Sequence, residues 1–571
     1  MKNSEVANLL YNIADLLEIQ NVPFKPQAYR NAARIIETLA EDIETVFKNG
    51  KLRELPGIGE SIAEKISEFL TTGKLKYYED LKKKVPKGVA ELIEIPGMGP
   101  KKALFLNKEL GISSVQQLKE AALKHKIRGL PRFGEKSESD ILEAVELIEK
   151  GKERMLLGIA LPIANELSSK LKALSEVDKI SLAGSIRRRK ETIGDVDILV
   201  TSKKPLLIMD FFTSMKDVAE VLAKGETKSS VVLKSGLQID LRVVDSESFG
   251  SALQYFTGSK EHNIALRGIV KKKGFKLSEY GLFNQKGKNI ASKTEKEIYE
   301  KLGLRYIEPE IRENSGEIEA AISNKLPKLV EYNAMKGDFH VHSKYSDGTA
   351  AISEIAELSK KLGYEYVVIA DHSKSQHIAN GLDEETLFKK IEEIKKLNKK
   401  YSNFRILAGA EVDIKPDGTL DYSDDVLKKL DVAIAAIHSG FKSTKEQMTK
   451  RVIKALENKY VDILAHPTGR LIGKRNPYEI DIEKIIASAK ENGKFLEINA
   501  FPSRLDLRDA NVRAAVNAGV KLSIGTDAHA LEQMRFLELG VATARRGWAE
   551  SKDILNTLSL KELPKFFKKI S

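Results

Sequence analysis

The chain has 571 residues, of which 42% are hydrophobic and 31% charged, with a formal net charge of +12 and no cysteine. That length exceeds one hydrophobic core, so several domains are expected. The composition excludes disulfides and thiolate metal sites, and no apolar run approaches the roughly eighteen residues of a membrane helix.

The basic balance suits a polyanionic partner and leaves the choice between a nucleic-acid binder and an ordinary basic enzyme to the motifs. The opening stretch, "MKNSEVANLLYNIADLLEIQ", interleaves acids with apolar residues. It reads as an amphipathic helix without the apolar core of a signal peptide, so a cytoplasmic protein with no membrane partner is expected.

The first 150 residues carry apolar positions at helical spacing, broken at Gly and Pro. "LPGIGESIA" (55–63) returns as "IPGMGPKKA" (95–103), and "LPRFGEKSE" (130–138) is a degraded third copy. Apolar-Pro-Gly-apolar-Gly followed by a helical run is the pattern of a helix-hairpin-helix. Gly57 and Gly59, and again Gly97 and Gly99, permit a tight turn whose uncovered N–H groups and helix N-terminus can take a DNA phosphate without reading bases. Two copies are expected, in a small domain at 1–85 and another at 86–150.

From about 155 the texture becomes mixed. "LAGSIRRRKETIGDVDILV" (182–200) places Asp195 and Asp197 two apart on a strand, so both carboxylates leave one face. Like charges so placed repel unless a cation sits between them. "QIDLRVVD" adds Asp240 on another strand. Three carboxylates on adjacent strands suit two Mg²⁺ or Mn²⁺ ions for phosphoryl transfer. Residues 315–336 are polar and carry no motif, and read as a linker.

After 337, apolar strands alternate with amphipathic helices, which predicts a parallel α/β barrel. The chain has nine histidines, and those at 340, 342, 372, 438, 466 and 529 fall at the ends of these strands. His340 and His342 share one strand face. Asp347, His372, Glu411, His438, His466, Asp527 and His529 complete a set that a barrel would gather onto one end. Nine N/O ligands suit two or three ions, and imidazole with carboxylate points to Mn²⁺, Zn²⁺ or Fe²⁺. His377 lies outside this pattern. Arg470 in "HPTGRLIGKR" reads either as a phosphate contact or as a surface cation.

The "GS…GDVD" segment followed by Asp240 resembles the palm of the nucleotidyltransferase superfamily. "ALQYFTGSKEHNIALR" (252–267) is similar to the family X DNA polymerases, the group that includes DNA polymerase beta. The histidine set resembles the PHP (polymerase and histidinol phosphatase) domain. The whole chain thus resembles the prokaryotic family X polymerases that end in a PHP domain. This likeness implies a helical hairpin region, a palm at 151–250 with a mixed sheet, a thumb at 251–314 that binds the nascent base pair, and a distorted PHP barrel at 337–571. It further implies that Asp195, Asp197 and Asp240 hold the polymerase metals, with Asp240 helping to deprotonate the primer 3′-hydroxyl. Gly184, Ser185, Arg188 and Gly194 match triphosphate positions. Tyr255, Phe256, Thr257 and Gly258 match the segment beside the incoming sugar. Asn263 matches a minor-groove contact to the incoming base, and Arg267 a template contact.

Lys65 falls at the position of a Schiff-base lysine and Lys25 at another basic position of a lyase domain, although Ser61 stands where a supporting lysine is usual. Lys65 is read either as a lyase amine or as a plain surface lysine. Arg189 departs from the family in replacing a frequent glycine. Gap-filling synthesis on gapped or primer-template DNA with dNTPs is implied, together with 3′–5′ exonuclease and, as a second possibility, cleavage at abasic sites. Two alternatives stay open: a PHP site that is a small-molecule phosphatase or structural metal centre, and a non-catalytic DNA-binding scaffold. A monomer is expected.

Overall fold

The computed structural model describes every residue except 1, 21, 39–42, 56, 85, 87, 94, 96, 97, 99, 132, 153 and 571. The N-terminal part is helical, beginning with α1 (Lys2–Ile19), α2 (Lys25–Thr38), α3 (Ile43–Lys48) and α4 (Glu60–Thr72). The two expected N-terminal domains share one core. Leu10, Ile13, Ile36, Ile62 and Ile66 join Leu106, Leu118, Ile127 and Val145 in a single buried cluster.

The segment expected as a palm holds a five-stranded mixed sheet. Its strands are β1 (Lys179–Leu182), β2 (Asp195–Thr201), β3 (Val218–Lys224), β4 (Lys228–Leu233) and β5 (Gln238–Val244), in the order β1-β2-β5-β4-β3. Strand β2 runs parallel to β5, in a register that sets Asp197 beside Asp240 and Asp195 beside Gln238. Alternation explains the two faces. Val196, Ile198, Val200, Ile239 and Leu241 point into the core under the helix Leu157–Lys172, and the three aspartates take the opposite face.

The thumb begins with α5 (Phe249–Thr257) and α6 (Lys260–Lys272), followed by a small antiparallel sheet of β6 (Lys276–Ser278), β7 (Gly281–Phe283) and β8 (Asn289–Ala291). Residues 315–336, read from the sequence as a linker, pack against the thumb and the barrel. Glu317–Ile322 form a helix in which Glu317 and Ile318 are buried. Leu329 and Val330 are also buried, and the Val330 N–H donates to the Ala549 carbonyl at 3.0 Å. Ile318, Ala321 and Leu329 join the buried cluster of the thumb, and Val330 and Met335 join that of the barrel.

The C-terminal part is a nearly closed barrel of seven parallel strands in sequential order. They are β9 (Gly337–Val341), β10 (Tyr366–Ile369), β11 (Arg405–Asp413), β12 (Val432–Ala436), β13 (Ile463–Leu464), β14 (Phe495–Asn499) and β15 (Leu522–Gly525). A parallel bridge from Val341 to Ala528 closes the ring. One interior cluster combines Phe339, Tyr366, Val368, Leu407, Ile434 and Phe495 with Leu555, Leu563, Phe567 and Ile570 from the chain's last segment. That segment plugs the barrel, and the strands' C-terminal ends remain for chemistry. No helix among the described residues is long and apolar enough to cross a membrane.

Candidate active sites

In the palm, the backbone of Gly184 adopts φ +63°, and a Cβ there would meet Asp197 Oδ2 at 2.8 Å. Glycine is therefore what lets the loop run against the carboxylate. The adjacent Ser185 hydroxyl is buried without a hydrogen-bond partner, as a site for an absent acceptor requires. Burial, followed by the neighbouring charges of Asp195 and Asp240, raises the Asp197 carboxyl to about 6. That repulsion is what a divalent cation would relieve.

Asp240 behaves differently. Its burial is outweighed by hydrogen bonds from Gln238, Ser230 and Lys228, which lower its pKa. Gln238 Nε2 donates to Asp240 Oδ1 at 3.1 Å, and Lys228 Nζ lies 3.2 Å from Oδ2. The three palm acids are not closed into one tight ligand group in this structure, and Lys228 would have to release Asp240 for it to serve as a ligand. Gly194 directly precedes β2.

The cations of the loop are already engaged. Arg187 forms a two-pronged pair with Glu295, at 2.9 and 2.6 Å. Arg188 donates to Glu313 Oε1 at 3.1 Å and to the Thr257 carbonyl at 2.5 Å. Loop and thumb are thereby joined at the end of α5. Tyr255 and Phe256 meet edge to face with centroids 5.2 Å apart, and the Arg242 guanidinium lies 4.4 Å from the Phe256 ring centre. Gly258 follows with φ +68°. Asn263 donates to the Tyr255 carbonyl at 2.8 Å and accepts from Gln254 at 2.7 Å. Arg267 is exposed, its Nε donating to the Asn263 carbonyl at 3.2 Å.

At the N-terminal hairpin, Gly57 has φ +71° and Gly59 is the residue before α4, with no side chain capping the helix. Gly57, Gly59 and Lys25 are exposed. Gly97 and Gly99 of the second copy lie outside the described residues. Lys65 on α4 donates to the Ser61 carbonyl at 2.9 Å and to the Ser61 hydroxyl at 2.8 Å. Its pKa is lowered, first by burial and further by the nearby positive charge of Lys25.

The barrel end brings together all nine expected ligands. Three groups of ligand atoms are close enough to hold an ion: His342, Asp347, His372 and His529; His340, His342 and Asp527; and His372, Glu411 and His438. His342 and His372 each belong to two groups, so the set forms one connected centre. His466 Nε2 joins it 2.8 Å from Glu411 Oε1. His340 Nε2 and His342 Nε2 face each other at 3.1 Å, and the buried His342 Nδ1, His466 Nδ1 and Asp347 Oδ1 have no hydrogen-bond partner. Nitrogens aimed at one another and orphaned donors fit ligation of cations better than a hydrogen-bond network.

Electrostatics agree with this arrangement. Burial and the imidazoles of His529 and His372 bring His342 down to about 4. For His438, burial is overcome by Glu411 and Asp413, which push it up to about 10.

A supporting ring of carboxylates was not read from the sequence. Glu497 Oε1 lies 2.7 Å from His340 Nδ1, and Glu497 Oε2 accepts from the His466 N–H at 2.7 Å. Asp413 Oδ1 lies 2.5 Å from His438 Nδ1. Each such carboxylate fixes the ring so that Nε2 turns inward. Alternation could have revealed them, since Phe495, Glu497 and Asn499 share one strand face, as do Leu407, Glu411 and Asp413.

Arg470, expected as a phosphate contact or a surface cation, is neither free nor exposed. It is 7% exposed, and its guanidinium donates to Glu191 of the palm at 2.8 Å and to the Leu505 carbonyl at 2.5 Å. In this structure it ties two domains together.

Family models match at 1–75 (helix-hairpin-helix domain), 89–146 (SAM-like helix-hairpin-helix tandem), 252–313 (DNA polymerase beta thumb) and 338–501 (PHP domain). The "DNA polymerase/3'-5' exonuclease PolX" of Bacillus subtilis is 42% identical over 573 residues, covering 100% of both chains. The "Repair DNA polymerase X" of African swine fever virus is 33% identical over 166 residues, 26% of this chain and 94% of that protein. A "Probable phosphatase" of Thermoanaerobacter is 34% identical over 232 residues, 38% of this chain and 89% of that protein. With identity sustained from end to end over a palm, a thumb and a histidine-lined barrel, the chain belongs to the family X DNA polymerases that carry a C-terminal PHP domain.

Proposed function

We propose that the chain fills short gaps in DNA by templated nucleotidyl transfer at the palm and trims 3′ ends at the barrel. The observation that supports this reading is two chemically distinct clusters of side chains on one chain: three carboxylates on the palm sheet and nine imidazoles and carboxylates at the barrel end. Two Mg²⁺ or Mn²⁺ held by Asp195, Asp197 and Asp240 would neutralise charge on the triphosphate, and two or three Mn²⁺, Zn²⁺ or Fe²⁺ held by the nine barrel ligands would do so on a phosphodiester.

The chain's own groups do the rest. Asp240 takes the proton of the primer 3′-hydroxyl. Gly184, Ser185, Arg188 and Gly194 seat the dNTP phosphates, with Ser185 offering its unpaired hydroxyl. Tyr255 and Phe256 wall the sugar, with Thr257 and Gly258 closing the turn. Asn263 exchanges one of its present partners for the minor-groove edge of the incoming base, and Arg267 reaches the template. Gly57 and Gly59, helped by Lys25, grip the DNA backbone, and Gly97 and Gly99 serve the second hairpin. Lys65, with its lowered pKa, is the amine for a Schiff base at an abasic sugar. Reductive trapping of Lys65 by borohydride on abasic DNA tests that assignment.

A one-nucleotide gapped duplex with a labelled primer, incubated with single dNTPs and Mg²⁺ or Mn²⁺, tests both sites. Template-matched extension and shortening without dNTP are expected. Asp240→Ala should lower extension by about 10²–10³-fold or more and leave shortening. The His340→Ala/His342→Ala pair should do the reverse. Loss of both activities in either variant, still folded, contradicts two separate sites.

A second reading of the barrel alone is a phosphatase, favoured by the relatives of that half named as probable phosphatases. Turnover of a phosphate monoester without any shortening of a DNA 3′ end would select it. Cleavage at an abasic site would instead mark endonuclease activity.

A further inference from the structure

The triphosphate loop of the palm is held by the barrel domain, and the hold converges on one residue. Arg546 sits in α7 (Leu537–Arg546), the last long helix of the barrel. It reaches across to donate to the backbone carbonyl of Arg188 at 2.7 Å and to Glu313 Oε1 at 3.0 Å, while Asp509 Oδ2 anchors its other edge at 2.6 and 3.0 Å. Glu313 is the same carboxylate that binds the Arg188 side chain. Arg546 therefore holds the loop twice, through the backbone of Arg188 and through the acid that competes for its guanidinium.

The next residue makes this hold necessary. Arg189 has φ +54°, a conformation that a residue with a Cβ adopts uncommonly and at a cost. Its side chain pairs with Glu538 of α7 at 3.3 Å and lies over the Tyr332 ring at 5.7 Å. Two positions on, Glu191 accepts from Arg470 of the barrel. Packing from the other direction is incomplete. Ile186, Arg187 and Arg189 border a cavity of about 300 Å³, together with Tyr306, Glu310 and Tyr332. The loop is thus placed by polar tethers, and three of its residues take them from the barrel.

We propose that Arg546 is a positioning residue for nucleotidyl transfer: the PHP domain supplies, through Arg546, part of the geometry with which the palm binds the incoming nucleotide's triphosphate. This rests on the polymerase reading above. Arg546 shields Glu313, so that Arg188 can be handed from that carboxylate to a phosphate, and it keeps the Arg188–Arg189 backbone in the strained turn that presents Ser185.

The test uses the full chain on a one-nucleotide gap with a dideoxy-terminated primer, reading the Kd of the matched dNTP. It compares wild type, Arg546→Met and Arg546→Lys. Loss of a charge-assisted hydrogen bond should weaken nucleotide binding about ten-fold or more in Arg546→Met. DNA affinity and 3′-end shortening should hold. In extension on a normal primer, KM for dNTP should rise more than kcat falls, and Arg546→Lys, which can still reach the Arg188 carbonyl, should recover part of the loss. Wild-type nucleotide affinity in Arg546→Met overturns the proposal. If wild type itself bound no matched dNTP, it is the polymerase reading that would fail. Should Arg546→Met not fold, Asp509→Asn, which loosens the carboxylate anchoring Arg546 and leaves Arg546 itself in place, probes the same tether. A several-fold weaker dNTP supports the proposal there, and an unchanged Kd overturns it.

Discussion

Asp197 and Glu497 illustrate how a carboxylate's surroundings decide its work. Asp197 is raised to about 6 by burial and by the charges of Asp195 and Asp240. An acid whose folded pKa is raised stabilises the fold while protonated, and that contribution is lost as pH rises from its unfolded value near 4 through about 6. A divalent cation needs the ionised form and must displace that proton at lower pH. Apparent Mg²⁺ affinity of the palm should therefore fall as pH drops through about 6, with proton release on binding. Titrations in buffers of different ionisation enthalpy would show it, and pH-independent affinity between 5 and 7.5 would speak against it. Glu497 does its work at one remove, by fixing the His340 ring and the backbone of His466. Glu497→Gln keeps the shape and weakens the acceptor, so metal content of the barrel should drop by about 10–100-fold in affinity while gap filling persists. Elemental analysis after dialysis against graded chelator reads this directly.

Among the elements, the first hairpin is the most local in its logic. Gly57 at φ +71° faces Ile35, whose Cδ1 would lie 2.9 Å from an added Cβ. Gly57→Ala should strain the turn by about 1–2 kcal/mol and tilt the start of α4 away from a phosphate. Affinity for duplex DNA of any sequence should fall several-fold, with little change in dNTP binding once DNA is saturating. Electrophoretic titration on two unrelated duplexes checks both halves of that expectation. The barrel strands were equally legible as elements, because parallel strands covered on both sides read as continuous apolar runs. Their inward carboxylates were harder to see. Glu497 and Asp413 sit within apolar stretches whose alternation has to be counted before the acid is seen to face inward.

Across the whole molecule, palm and barrel are not independent beads. Leu505 and Leu539 of the barrel half belong to the palm's own buried cluster, and Arg470 and Arg546 reach palm backbone or acids. A fragment ending at residue 336 should expose this apolar surface. Lower thermal stability than the full chain and binding of a hydrophobic dye are expected, and a fragment as stable as the whole would refute the shared core.

The side chains that gather at the two candidate sites were legible in the sequence: the three palm aspartates, which share one sheet face, and the nine histidines and carboxylates of the barrel end. These groups act through short-range patterns, a turn that needs glycine or a strand whose period puts two side chains on one face. Tertiary structure alone decided three other things. Residues 315–336 became a packed connection because Val330 and Met335 joined the barrel core and the backbone of Leu329 bridges to that of Glu550, more than 200 residues away. Arg470 became a domain tie because a buried guanidinium must find acceptors, and Glu191 and Leu505 supplied them. Arg189 adopts a left-handed turn in which Glu538 and Tyr332, distant in the chain, engage its side chain. Local pattern determines which groups are available, whereas the free energy of burying and pairing them depends on partners that only the folded chain brings near.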